Sequence, residues 1–347
     1  MKILVLHGAV KNSGDFLIRD RSLTHLRALL PHAELIPRFR LAPLGQLLNQ
    51  IDLAVLAGGP ALDFDMVPTV HPRIPELRDS GIPTVALAIG LSGHGSSGRT
   101  FSDDTSEAIR WLSSFGRISV RDINSARAVD EVVAGRATMT GCVAWYLDLP
   151  VTHPTNGSSQ GQGHDLAFTP PANPRLHPEG LRVLRAIGRA ASHSKIVVGY
   201  HRGILPGRGV PIRSGLLNSG AAAIARLKGA TVRDLSGPQG EFDSYDDCRI
   251  HIGYRVHAHL LFLSQGKPSI LIAEDRRGRG QQVTLDDPYR LMTGSIDLPH
   301  RTADALETET MEAPALQAAT GIIRATAPTM IEHIRGVIGA DWSSSKH

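Results

Sequence analysis

The chain has 347 residues, more than a single hydrophobic core usually organises, so two domains are the default expectation. Its 37 Lys and Arg against 33 Asp and Glu leave a formal charge of +4, with no long basic run and no aromatic-rich basic stripe, which argues against nucleic acid as a partner. Only two cysteines, Cys142 and Cys248, are present, excluding a disulfide framework and a zinc spacing, and no apolar stretch of about 18 residues exists to cross a membrane.

Residues 2–6 form an apolar run typical of a buried parallel strand. The sequence turns polar too early for a signal peptide, so a soluble cytoplasmic protein is the economical reading. A glycine-containing loop follows, His7 to Asp15, where a backbone can approach a ligand. The pattern then predicts a helix over 22–30 and strands over 33–37, 51–57 and 83–89, the last two ending in Gly58-Gly59-Pro60 and in the Gly90–Gly95 loop. A helix over 105–115 has Asp103 or Asp104 as candidate caps. A strand over 117–120 delivers Arg121-Asp122, and a helix over 125–134 follows. Strand, glycine-rich loop and helix thus recur, which is the doubly wound α/β pattern.

Composition changes at Pro150, where a Ser, Gly, Thr and Asn-rich stretch over 151–164 reads as a linker. Residues 1–150 are therefore taken as one Rossmann-like domain and 165–300 as a second. In the second, strands are predicted over 165–169, 195–200, 230–235 and 249–254, and helices over 179–191 and 220–227. The strand over 195–200 delivers His201-Arg202. The strand over 249–254 hands over to a helix marked by Val256, Leu260, Leu261 and Leu263, and a further strand covers 269–273. Residues 301–347 read as C-terminal helices interrupted near Gly321 and Pro328, then a tail. Two such domains facing across a cleft resemble the GT-B arrangement of glycosyltransferases, an analogy of fold and not of function.

The stretch Tyr254-Arg255-Val256-His257-Ala258-His259 places cations at the carboxyl end of a strand, where open α/β sheets bind ligands. Arg offers a rigid fork for phosphate or carboxylate, and His exchanges a proton near neutral pH. A structural alternative pairs Arg255 with Asp246 or Asp247. Arg121 reads first as a surface ion pair with Asp122. Arg276, Arg277 and Arg279 read either as a solvated basic loop or as a source of one guanidinium for the anion at Arg255. His94 and His201 are strand-end histidines, and Cys248 is a packing residue. The Gly90–Gly95 loop lacks the second glycine of a nucleophile elbow, since His94 occupies that position.

Four stretches, in order, resemble the polysaccharide pyruvyltransferase family. They are Asn12-Ser13-Gly14-Asp15, Ser119-Val120-Arg121-Asp122, Tyr245-Asp246-Asp247-Cys248 followed by Arg255-Val256-His257-Ala258, and Gly266-Lys267-Pro268 through Asp275-Arg276-Arg277. The resemblance implies a GT-B-like enzyme that moves the pyruvyl group of phosphoenolpyruvate (PEP) to hydroxyls of a carbohydrate acceptor as a ketal, releasing phosphate. It implies that Arg121, Arg255 and Arg277 hold PEP, with Arg276 or Arg279 as alternatives to Arg277, and that His257 is the acid–base residue. Asn12, Gly14, Asp15, His94, His201 and His259 become candidates for the acceptor or the cleft. PEP is the co-substrate and no cofactor or metal is implied; the oligomeric state stays open. Two rivals are a nucleotide-sugar glycosyltransferase of the same architecture and a non-catalytic sugar- or phosphate-binding protein.

Overall fold

Short runs of Val, Ile, Leu and Ala with no polar face belong to strands covered on both sides of a parallel sheet. In a computed structural model of the chain they build two six-stranded sheets with parallel strand pairings throughout. The structure describes residues 1–92, 101–149, 165–207, 210–237 and 239–339; His94, the expected linker and the expected tail lie outside them.

The first unit takes described residues from 1–9, 18–152 and 323–347. Its strands are β1 (Lys2–His7), β2 (Glu34–Phe39), β3 (Leu53–Leu62), β4 (Thr84–Leu91), β5 (Ile118–Val120) and β6 (Ala137–Met139), in the order β2-β1-β3-β4-β5-β6. The direction of winding reverses between β1 and β3. The helices of this part of the chain are α1 (Ser13–Leu29), α2 (Met66–Thr69), α3 (Ile74–Asp79), α4 (Asp103–Ser114) and α5 (Ile123–Asp130). Leu4, Leu6, Leu56, Ile89, Ile109 and Val120 belong to its buried core. Ser102, not Asp103 or Asp104, caps α4, its hydroxyl accepting from the Thr105 amide at 3.3 Å.

The second unit takes residues from 10–17 and 153–322. Its strands are β7 (Asp165–Thr169), β8 (Ile196–Tyr200), β9 (Thr231–Asp234), β10 (Cys248–Gly253), β11 (Ser269–Ala273) and β12 (Leu291–Met292). Read from β9, the order is β9-β8-β7-β10-β11-β12, which is the 3-2-1-4-5-6 order of a Rossmann sheet. The switch point falls between β7 and β10. Helices α6 (His177–Ala190), α7 (Ile212–Leu227), α8 (Val256–Ser264), α9 (Arg276–Thr284), α10 (Leu298–Glu312) and α11 (Pro314–Gly339) complete the described chain. Phe168, Val183, Ile187, Ile250, Ile252 and Ile270 lie in the core of this unit.

Two segments cross the expected domain boundary. Residues 10–17 group with the second unit because their backbone is tied there: the Ser13 amide donates to the His201 carbonyl at 3.1 Å, and the Lys11 carbonyl accepts from Gly237 at 2.7 Å. From Ile323 onward α11 groups with the first unit, where His333 Nε2 meets the Ala86 carbonyl at 2.9 Å.

Four helix boundaries differ from expectation. α1 starts at Ser13, so Gly14 and Asp15 sit in a helical first turn and not in a loop. α7 starts at Ile212, ahead of the expected 220. Arg276 to Arg279 open α9, which Asp275 caps by accepting from the Arg277 amide at 2.9 Å. The final helices break at Ala313, in the left-handed region at φ 49°, while α11 runs through Gly321 and Pro328. There the Glu309 carboxylate accepts from the amides of Ala315 and Leu316, at 3.0 and 3.1 Å, filling the cap that Pro314 at the helix start lacks.

Candidate active site

Everything that gathers at the switch point of the second unit follows from how β10 ends. Gly253 has φ 152°, and a Cβ there would lie 2.4 Å from the Thr169 carbonyl oxygen, so only glycine lets β10 close on β7 at this point. Thr169 then holds the turn. Its carbonyl accepts from the Tyr254 amide at 3.0 Å, and its Oγ1 accepts from the Arg255 amide at 3.2 Å. Arg255 is the N-cap residue of α8 but makes no side-chain cap, so it enters the helix with its guanidinium directed elsewhere. It reaches Asn12 Oδ1 at 3.4 Å.

His257 lies in the first turn of α8 and is 8% exposed. Gly14 packs directly on its ring. A Cβ at Gly14 would fall 1.9 Å from His257 Nδ1 and 2.6 Å from its Cγ, so the first turn of α1 accepts no side chain there. The motif Asn12-x-Gly14-Asp15 thus has a physical content: Asn12 meets the arginine, and Gly14 makes room for the histidine. Asp15 adds negative charge near both Arg255 and Arg277.

The electrostatics favour an anion. Burial pushes the Arg255 guanidinium down to about 10, and the like charges of Arg202 and Arg277 add to this against Glu274 and Asp15. Arg255 stays charged at neutral pH but is held at a cost that a bound anion would relieve. For Arg277 burial acts downward, yet Asp275, with Nε to Oδ2 at 2.9 Å, outweighs it and raises the group above its ordinary value. Arg277 therefore supplies a cation of fixed position. Arg279 is exposed, and Arg276 is partly buried at the start of α9; the Arg277 charge is among the main ones acting on Arg255. Glu274, at the end of β11, accepts from the Ala172 and Asn173 amides at 2.7 and 2.6 Å, which fixes the segment leaving β7.

His201 is buried at 2% exposure, with Nε2 2.9 Å from the Tyr245 hydroxyl. A Cβ at Gly199 would collide with that hydroxyl, at 1.9 Å. Burial first, then the charges of Arg255, His251 and His257, lower His201 well below an ordinary imidazole, so it is neutral. His259 is placed differently from the expectation of an acceptor contact. It is 3% exposed and its Nδ1 meets Ser269 Oγ at 2.8 Å, a packing position against β11. Cys248 is fully buried in β10, and burial raises its thiol to about 12, which suits the packing role expected for it.

Arg121 belongs to the first unit. It is 2% exposed; its Nε donates to Asp122 Oδ2 at 3.1 Å and its NH2 donates to the Leu91 carbonyl at 2.7 Å. The pair expected on the surface is therefore buried. Gly90 makes room for it, since a Cβ there would lie 2.1 Å from Arg121 Nε. Asp122 also caps α5, accepting from the Ser125 amide at 2.8 Å. Arg255 pairs with neither Asp246 nor Asp247 in any described contact; Lys267 instead donates to the Asp246 carbonyl at 2.9 Å. Among the described residues no group of three or more His, Cys, Asp or Glu side chains has metal-holding geometry, and no helix is long and apolar enough to cross a membrane. Sequence reasoning missed Thr169, Arg202 and Glu274 as parts of this site. Each stands at a strand end, and that position was the available signal.

The profile of the polysaccharide pyruvyl transferase family matches residues 12–276, well over half of the chain. The chain belongs to that family. No curated protein matches it. Among solved structures, MnaA of S. aureus in a co-structure with UDP superposes with a TM-score of 0.60 at 10% identity, over 97% of each chain. A putative UDP-N-acetylglucosamine 2-epimerase from Listeria monocytogenes gives 0.58 at 9% identity, over 97% of this chain and 96% of the other. HepE of Anabaena, in complex with UDP and glucose, gives 0.53 at 13% identity, over 99% and 100%. At such identities the likeness shows the fold: a GT-B-like pair of α/β units. Membership of a pyruvyl transferase family in turn marks the protein as a transferase.

Proposed function

We propose that the protein transfers the pyruvyl group of PEP to a pair of hydroxyls on a carbohydrate acceptor, forming a ketal and releasing phosphate. The observation that carries this reading is the set Arg255, Arg277 and His257 at the switch point of the second unit, with Gly14 packed on the histidine. PEP presents a phosphate and a carboxylate, and two guanidiniums that repel one another suit that pair of anions. Arg255 and Arg277 are assigned to bind it, at the start of α8 and of α9.

His257 is assigned to proton transfer. The enol carbon of PEP gains a proton, which leaves its neighbouring carbon electrophilic. One acceptor hydroxyl adds there and loses its proton; the second hydroxyl adds as the carbon–oxygen bond to phosphate breaks, and loses its own. One proton thus enters the methyl group and one leaves with phosphate or solvent. An imidazole can serve either direction of transfer. For Arg121 the buried ion pair supports a structural role in the first unit, and the PEP contact implied by family resemblance is retained as a separate assignment to be tested.

Support for a nucleotide-sugar reading comes from neighbours whose structures hold UDP. Of two acidic side chains near the switch point, Glu274 accepts from two backbone amides and Glu179 from the Gly294 amide and the Tyr254 hydroxyl, which suits neither to a ribose. Phosphate release from PEP, measured with a panel of sugars bearing free hydroxyl pairs, tests the proposal. Release that depends on both PEP and a sugar is expected, with PEP and not UDP raising the melting temperature. No release with any sugar, together with no PEP binding, would overturn it.

A further inference from the structure

We propose that Thr169, His251, Ser269 and His259 form one unidirectional hydrogen-bond chain that fixes the turn carrying Arg255 and His257, making Thr169 and His251 positioning residues. The importance of that turn rests on the function proposed above; the chain itself does not.

The chain runs across three neighbouring strands and one helix. Thr169 ends β7, His251 lies within β10, Ser269 begins β11, and His259 is on α8. Their exposures are 0, 0, 0 and 3%. From the Arg255 amide the contacts are 3.2 Å to Thr169 Oγ1, 2.9 Å from there to His251 Nε2, 2.8 Å from His251 Nδ1 to Ser269 Oγ, and 2.8 Å from Ser269 Oγ to His259 Nδ1. Polar groups this deep in a sheet are costly unless every one is satisfied. Apolar side chains would fill the same space, so their polarity asks for a purpose.

Counting hydrogens fixes the direction. Both rings are neutral: burial takes His259 down to about 3, and burial with the neighbouring His259 takes His251 well below an ordinary imidazole. Ser269 has one hydrogen and faces two ring nitrogens, so it can donate to only one of them, and accepting from the other keeps the hydroxyl hydrogen within the chain. Thr169 Oγ1 accepts from the Arg255 amide, and its own hydrogen then goes to His251 Nε2. His251 carries its proton on Nδ1 and donates to Ser269, and Ser269 donates to His259 Nδ1. His259 carries its proton on Nε2. The opposite direction leaves the Thr169 hydroxyl hydrogen with no acceptor in the chain. His251 thus orients the threonine hydroxyl, and the hydroxyl oxygen holds the residue at which α8 begins.

Nitrogen-15 NMR of the imidazoles in the full-length protein, assigned with His259→Gln, tests the direction. His251 protonated on Nδ1 and His259 on Nε2 is expected; like tautomers, reversed tautomers or an imidazolium would overturn it. Positioning is tested by amide exchange. Thr169→Val should speed exchange of the Arg255 amide about tenfold or more, and Thr169→Ser should restore it. Phosphate release at a temperature where both variants are folded should follow the same split, with kcat down about 10- to 100-fold in the valine variant and recovered in the serine variant. An Arg255 amide equally protected in all three, or a serine variant as poor as the valine, would overturn the positioning role. Should the tautomers and exchange behave as expected while the parent protein releases no phosphate, the function proposed above fails and the chain stands.

Discussion

At the scale of single residues, the site is built from close approaches that only glycine permits. Gly14 lies against the His257 ring, and an added methyl group would stand 1.9 Å from Nδ1. Gly14→Ala should therefore displace the histidine and cut phosphate release strongly, with a stability loss of about 1–3 kcal/mol from overpacking. A variant with parent-like kcat, measured beside a thermal melt, would separate Gly14 from the histidine. Arg121 gives a second residue-scale test. Replacing one member of a buried pair leaves the other charge unpaired, so Arg121→Met should cost about 3–5 kcal/mol by denaturant unfolding. Added PEP should recover little of that loss if the pair is structural, as the burial of both partners supports.

At the scale of elements, the turn between β10 and α8 depends on its backbone. Gly253 at φ 152° faces Thr169, and Gly253→Ala should cost about 1–3 kcal/mol in strain alone, with PEP affinity lowered as Arg255 shifts. A calorimetric PEP titration beside a thermal melt checks both. The β10–α8–β11 unit was legible in the sequence because its apolar runs are long and its glycines fall at the ends. The sequence pattern starts α1 late because Asn12-Ser13-Gly14-Asp15 has turn chemistry; what makes it helical is the Asn12 carbonyl accepting from Asp15 and Phe16, together with the Ser13 tie to His201. The arginines of α9 read as a loop since Arg-Arg-Gly-Arg-Gly is a poor helix former. Here Gly278 is needed for contact, a Cβ there lying 2.9 Å from Ala273, and Asp275 supplies the cap. In α11 tertiary packing overrides the breakers Gly321 and Pro328. The contact of Gly14 with His257 joins residues far apart in sequence, and no local pattern encodes it; only the order of the motifs pointed to it.

At the scale of the whole molecule, buried neutral histidines set the response to acid. His25, His71, His201, His251 and His259 are all at most 3% exposed, and burial is the largest cause lowering each. Below pH 6.5 the unfolded chain takes up protons at these rings while the native chain does not, so stability falls as pH falls. Each ring contributes a slope of about 1.4 kcal/mol per pH unit until its own native value is reached, near 4 for His25 and near 3 for His71 and His259. Asp287, raised to about 6 by burial, works in the opposite direction but is a single group. Melts between pH 7 and pH 4.5 should show a steep cooperative loss of stability; a flat profile would mean the rings are charged or solvated in the native state. The proposed function divides labour at one turn, with Arg255 on the anion and His257 on the proton. A calorimetric titration of PEP into Arg255→Ala and His257→Ala beside the parent protein tests that division most directly. Binding weakened at least about tenfold in the arginine variant and kept within about threefold in the histidine variant is the predicted result, whereas equal binding by all three, or loss confined to the histidine variant, would contradict it.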